Sequence, residues 1–166
     1  SPIPVMIYNF PQNTGINLEP DTVARIAEHA NVCGIKDSSG NIAQAAHLIH
    51  LTPKSFHVLV GAASALLPSL TLGSSGGILA LAVLAAREHC EVYSLARQGR
   101  WDEAREVVHR MLAVDRGVHG RHGIGGLKAA LDLLGFYGGP CRAPLATPDG
   151  DAIDEIRELL ATAGLL

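Results

Sequence analysis

Lys36 closes an apolar run, Val32-Cys33-Gly34-Ile35, and stands directly before the Ser/Gly-rich stretch Asp37-Ser38-Ser39-Gly40. A lysine at the carboxyl end of a buried parallel strand points into the region where α/β sheets and barrels hold their ligands. Desolvation there favours the neutral amine, which can attack a carbonyl and form a Schiff base. A solvated ion pair with Asp37 is the competing account of the same residue. Tyr8 ends an earlier apolar run, Pro4-Val5-Met6-Ile7, and on the same rim its phenol could pass a proton to or from a carbinolamine. Packing, with the hydroxyl tied to a neighbour, is the plainer role for such a tyrosine.

Positioning these residues takes strands and helices in alternation, and the chain has them. Pro4–Tyr8, Val32–Lys36, His57–Val60 and Gly76–Ala80 read as strands. Helical periods follow the first three, over about Glu19–His29, from Asn41 to about Leu51, and over Ala62–Leu70. Strands this uniformly apolar suit a parallel sheet buried on both faces. Four such units leave two architectures open, a doubly wound sheet or part of a barrel. From about Ala82 the pattern turns to amphipathic helices alone, over Ala82–Gln98, Trp101–Arg116, Ile124–Leu134 and Asp151–Ala163. Gly99 ends the first of them, Asp102 sits near the start of the second, and Gly138-Gly139-Pro140 is a turn.

Composition narrows the function classes. The 166 residues are 48% hydrophobic and 17% charged, too apolar for a disordered chain. A formal net charge of -3 gives no basic footprint for nucleic acid or an anionic membrane surface. Arg87, Glu88 and His89 interrupt the longest apolar stretch before it reaches the roughly 18 residues of a membrane span. Three scattered cysteines, Cys33, Cys90 and Cys141, make no disulfide framework, and Cys141 reads as a small buried residue. With no export signal at Ser1-Pro2-Ile3-Pro4, a reducing compartment is expected, the cytoplasm, or the mitochondrial matrix if a further segment precedes Ser1. Among the eight histidines His119 and His122 lie close together, and with no Cys or carboxylate at zinc spacing around them no metal is expected. The Gly73–Gly77 cluster could cradle a phosphate but reads as a turn, and neither nucleotide-binding glycine pattern is present.

Taken together the segments are more specific than any one residue. Tyr8-Asn9-Phe10-Pro11 with Thr14-Gly15, then Gly34-Ile35-Lys36-Asp37-Ser38-Ser39-Gly40, resemble blocks of the dihydrodipicolinate synthase / N-acetylneuraminate lyase family. Val58–Gly61, Leu72–Ile78 and Gly138–Leu145 resemble its later blocks, in the family's order. The resemblance implies an α/β fold of the (β/α)8 TIM-barrel type, with this chain covering strands 5–8 and the C-terminal helical extension. Residues 1–98 would be the C-terminal half of the barrel and 99–166 the extension. It implies a homo-oligomer, dimer or tetramer, that needs no cofactor and takes pyruvate or another 2-oxo acid. Lys36 would form the imine and Tyr8 relay protons. Ser38 would offer a hydroxyl and Gly61 backbone groups near the ligand.

Finer detail comes from departures. Where dihydrodipicolinate synthases carry an arginine before the Thr-Gly of the tyrosine block, this chain has Asn13 before Thr14. That version, with the Phe136–Leu145 block, looks closer to 4-hydroxy-2-oxoglutarate aldolase. A dihydrodipicolinate synthase or a sugar-acid aldolase of the same family is the alternative. Val83 stands where many members have asparagine. The family's Thr-Thr or Ser-Asn pair for the pyruvate carboxylate, and its further tyrosine, have no counterpart here, so a fragment of a longer protein, or a non-catalytic half-barrel subunit, is expected. An isolated half-barrel would bare its inner face and self-associate.

Overall fold

Four short strands, β1 (Val5–Asn9), β2 (Val32–Asp37), β3 (His57–Val60) and β4 (Gly76–Gly77), form one sheet in the computed structural model, which describes residues 1–166. They stand in sequential order, and every neighbouring pair is parallel. That order decides between the two architectures. Parallel crossovers are right-handed, so strands laid down in one direction put every connecting helix on the same face. A doubly wound sheet must reverse its order to cover both faces. This sheet does not reverse, and its topology is that of half a (β/α)8 barrel.

The connections are α1 (Pro11–Thr14) and α2 (Pro20–Ala27) after β1, α3 (Ile42–Leu51) after β2, and a 3-10 turn (Ala63–Ala65) with α4 (Leu66–Leu72) after β3. Proline at the first position starts α1 and α2, and the Asn41 side chain caps α3 by accepting the Gln44 N–H at 3.1 Å. The core under these helices joins Ile35 and Val58 of the sheet to Val23, Leu48 and Phe56, with Ile7, Leu18, Ala27, Val32 and Ile49 around them. Ile7, Ile35 and Val58 are successive register partners. Side chains alternate along a strand, so the next row, Tyr8, Lys36, Leu59 and Gly76, lies on the opposite face. That face is open at β1, where Met6 and Tyr8 are exposed.

Each strand end is also tied backward to its predecessor. The first residue after β2, Ser38, donates its N–H to Asn9 O at 2.8 Å. Gly61 after β3 donates to Asp37 O at 2.8 Å, and Ile78 after β4 donates to Val60 O at 2.9 Å.

Residues Ser1–Leu79 form one compact unit and Ala80–Leu166 another. The second holds a 3-10 turn (Ala80–Val83), α5 (Ala86–Arg97), α6 (Trp101–Val114), a π-helical stretch (Asp115–Gly120), α7 (Arg121–Leu133) and α8 (Gly150–Thr162). Val92 and Leu95 of α5, Val107 and Met111 of α6, Leu127 of α7, and Ile156 and Leu160 of α8 fill its interior. No helix of the chain is long and apolar enough to cross a membrane, and all three cysteines are free.

Most element bounds differ from the sequence expectation by one to a few residues, and two regions differ more clearly. The fourth strand stops at Gly77 rather than Ala80, and the following helix starts at Ala86 rather than Ala82. A Leu/Ala run is apolar in any period, so periodicity cannot place its boundary; Leu81 and Ala85 are buried within the helical unit and fix it there. The glycine-rich span around His119–Gly123 is π-helix and α7 rather than a break between helices, although Gly123 kinks α7. Close packing explains a glycine further along α7: a Cβ on Gly125 would stand 2.4 Å from Ala146 O.

Candidate active site

Register brings the two chemically capable side chains together. Tyr8 and Lys36 are register partners, each one residue from its strand's end and both on the face away from the helices. The Lys36 Nζ lies 4.3 Å from the centroid of the Tyr8 ring, a cation held over an aromatic face. Phe10 tilts against the other part of this cluster, its centroid 5.8 Å from that of Tyr8.

The ion pair between Lys36 and Asp37 does not form. Asp37 follows Lys36 and therefore faces the helices, where its carboxylate accepts from Asn9, Gln44 and Ser39. None of the chain's ion pairs includes Lys36. The amine is half-buried and has no carboxylate partner.

Ser38 and Gly61 lie side by side at the ends of β2 and β3. A Cβ on Gly61 would fall 1.8 Å from Ser38 Oγ, so the bare Cα is what admits Ser38. The Gly61 N–H is engaged by Asp37 O, so Gly61 supplies room rather than a free donor. Asn13 and Thr14 stand on α1, one loop away. The Thr14 hydroxyl lies 3.1 Å from Phe10 O and 3.0 Å from Ile16 O and accepts the Ile16 N–H at 3.3 Å, closing its own turn. Asn13 is exposed, and its side chain makes no hydrogen bond. Gln12, beside it, reaches across to the next loop, its Nε2 donating to Ser39 O at 2.9 Å.

Behind the sheet lies a group the sequence reasoning passed over: Asn9, Asn17, Asp37 and Gln44, joined by hydrogen bonds of 2.8 to 3.3 Å. Strand alternation was the signal. If Tyr8 and Lys36 face inward, Asn9 and Asp37 must enter the helix layer, where a polar group has to find partners. Elsewhere, no three His, Cys, Asp or Glu side chains are grouped to hold a metal ion. His119 and His122 face different carboxylates, His119 Nδ1 3.9 Å from Asp115 and His122 Nε2 3.6 Å from Glu155.

A sequential parallel half-barrel with a lysine and a tyrosine paired at adjacent strand ends defines the class of barrel proteins that present an amine at the C-terminal rim. Within that class the chain belongs to the dihydrodipicolinate synthetase family, whose pattern it matches over residues 1–163. It is 34% identical over 160 residues to a protein named 4-hydroxy-tetrahydrodipicolinate synthase from Methanospirillum hungatei, covering 96% of this chain and 55% of that one. A protein of the same name from Archaeoglobus fulgidus is 35% identical over 164 residues, 99% of this chain and 57% of the other. Among solved structures, dihydrodipicolinate synthase from Thermotoga maritima superposes with a TM-score of 0.92 at 28% identity, covering 100% of this chain and 58% of that one. A prophage protein of the dihydrodipicolinic acid synthase family from E. coli K12, solved in complex with pyruvate, gives 0.92 at 26%, with the same coverage. The chain thus spans a little over half the length of the relatives it matches.

Proposed function

We propose that this chain carries the imine-forming half of a Schiff-base pyruvate lyase, with Lys36 as the nucleophile and Tyr8 as the proton relay. The observation that carries the proposal is the Lys36 amine held over the Tyr8 ring with no ion-pair partner. The Lys36 nitrogen adds to the ketone carbon of pyruvate, and loss of water leaves a protonated imine. That cation withdraws electrons from the neighbouring carbon, whose proton leaves to give an enamine. The enamine makes a carbon–carbon bond with an aldehyde carbon, and the reverse sequence breaks one. A phenol at Tyr8 supplies and retrieves the protons of the carbinolamine step. Ser38, on the same rim, is placed to hydrogen-bond the bound acid, while Asn13 and Thr14 border the second substrate's side.

For the second substrate two lines pull apart. The relatives described above carry the name of the synthase, which supports a condensation of that kind. Cleavage of 4-hydroxy-2-oxoglutarate rests on Asn13 and the Phe136–Leu145 block alone and gains no support from those names. The exposed amide of Asn13 offers hydrogen bonds but no cation for a carboxylate.

Incubation with pyruvate and borohydride, followed by peptide mass spectrometry, tests the imine. One reduced pyruvate on the Lys36 peptide, absent in Lys36→Ala, is expected. Trapping that survives in Lys36→Ala overturns the assignment, and a panel of aldehydes and 4-hydroxy-2-oxo acids then separates the two second substrates. Light scattering of the whole protein tests the homo-oligomer that we propose for it.

A further inference from the structure

We propose that Asn9 and Asp37 are positioning residues, whose hydrogen bond on the helix side of the sheet holds Tyr8 against Lys36 on the other side. Asn9 follows Tyr8, Asp37 follows Lys36, and the two are themselves register partners. They are 2% and 3% exposed. Asn9 Nδ2 donates to Asp37 Oδ1 at 2.8 Å and to Asn17 Oδ1 at 2.9 Å, while Asn9 Oδ1 accepts the Leu18 N–H at 3.1 Å. Asp37 Oδ1 also accepts from Gln44 Nε2 at 3.3 Å and the Ser39 N–H at 3.2 Å, and its Oδ2 accepts the Ser39 hydroxyl at 2.7 Å. Asn17 and Gln44 complete the ring: Asn17 Nδ2 donates to Gln44 Oε1 at 2.8 Å and to Glu19 Oε1 at 2.8 Å, and Gln44 Nε2 donates to Asn17 Oδ1 at 3.2 Å. Every side-chain amide hydrogen of Asn9, Asn17 and Gln44 therefore has an acceptor.

One step earlier on the same face the sheet is held by Ile7, Ile35 and Val58, and apolar packing suffices there. Buried polar groups add little net stability over well-packed apolar ones, and they demand that every bond be made. What a fully satisfied network supplies is a fixed geometry. This one occurs at the register step adjoining the Tyr8–Lys36 pair, and it anchors both strand ends to the segment before α2 and to the first turn of α3. The Asp37 carboxylate also receives the Ser39 N–H and hydroxyl, which sets the bend of the chain directly after Lys36. An error of about 1 Å in such an alignment can cost about a hundredfold in rate. The proposal rests on the Schiff-base assignment for its catalytic consequence but not for its geometry.

The test uses the 166-residue chain and two readouts. Its amines are those of Lys36, Lys54, Lys128 and the Ser1 N-terminus, so reductive methylation with carbon-13 formaldehyde gives a simple NMR spectrum, the terminal signal being assigned by the lower pH midpoint of an α-amino group. The Lys36 methyls, held over the Tyr8 ring, should resonate upfield of those on the other two lysines. Asn9→Asp sets a second carboxylate against Asp37 Oδ1; the upfield shift should fall by more than half, and borohydride trapping of pyruvate per folded molecule should fall about tenfold or more. Asp37→Asn costs less, because the introduced amide can donate to the Ser39 hydroxyl. If Asn9→Asp does not fold, Asn9→Ala takes its place with the same expected losses. A folded Asn9 variant with the parent's upfield shift, whatever its melting temperature, overturns the proposal, because the pair would then serve stability alone. A parent chain that shows the shift, loses it in the Asn9 variant and traps no pyruvate sustains the positioning role and assigns pyruvate capture to the barrel completed by its other half.

Discussion

Gly61→Ala probes how tightly two strand-end loops are pressed together. The added Cβ would stand 1.8 Å from Ser38 Oγ, 2.8 Å from its Cβ and 3.0 Å from its Cα. Turning the Ser38 side chain moves only Oγ; Cβ and Cα remain well inside the ~3.5–4.0 Å optimum for carbon pairs. Backbone must therefore yield, against hydrogen bonds of 2.8 Å from Gly61 N–H to Asp37 O and from Ser38 N–H to Asn9 O. Overpacking of this kind costs about 1–3 kcal/mol, and we expect a loss of about 2 kcal/mol here. Ser38→Gly alone should cost up to about 1 kcal/mol through chain entropy. In the double variant it removes the two nearest atoms and leaves only the backbone at position 38 close to the new methyl, so the cycle should show a favourable coupling of about 1 kcal/mol or more. Urea denaturation of the four proteins, with midpoints and slopes compared, measures it. Additive losses, or a Gly61→Ala protein within about 0.5 kcal/mol of the parent, would refute the packing account of this glycine.

Three further outcomes are expected. Tyr8→Phe keeps the ring beneath Lys36 but removes the phenol, so turnover should fall about 10²–10⁴-fold while the upfield shift of the Lys36 methyls persists; a parent-like rate would move the relay elsewhere. Ile35→Ala, at a site that is 0% exposed, should cost about 2–5 kcal/mol in thermal or chemical unfolding, and a loss below about 1 kcal/mol would deny it a central place in the core. Arg100 Nε donates to Glu103 Oε1 at 2.6 Å, and that hydrogen bond, together with the guanidinium charge, holds the Glu103 carboxyl below the ordinary carboxylate range. Because the folded value is the lowered one, the pair favours folding above the unfolded carboxylate range, and its contribution is lost as pH falls through the folded value. Carbon-13 NMR titration should show the Glu103 midpoint rising in Arg100→Ala; an unmoved midpoint counts against the pair.

Much of the fold is legible because apolar runs of strand length alternate with helical periods. The strand His57–Val60 reads correctly to the residue, and Asn41 marks the start of α3. The order of strands is not legible, since local patterning says nothing about which strand lies beside which. Where the sequence is apolar in every direction, at Leu79–Ala85, tertiary packing sets the boundary. In the site, Lys36 and Tyr8 stand out as the only residues of their kind at strand ends, while the register that pairs them is set by the sheet and is not legible locally. Asn9, Asn17 and Gln44 stay hidden because an amide in a loop or a helix start looks ordinary until its burial is known. Asp37 suggests itself only as a partner for its neighbour in sequence, although alternation turns adjacent side chains to opposite faces.

The backward ties at the strand ends also bear on how such a rim can change over generations. Ser38, Gly61 and Ile78 each spend their backbone N–H on the preceding strand's last residue, so the opening position of these three loops answers to its neighbour before it can answer to a ligand. Variation tolerated by natural drift or introduced by a library is thereby channelled to later positions, such as Asn13 and Ala62. A rim built in this way can exchange what it accepts while its first course stays in place, much as masonry is re-pointed without moving the stones.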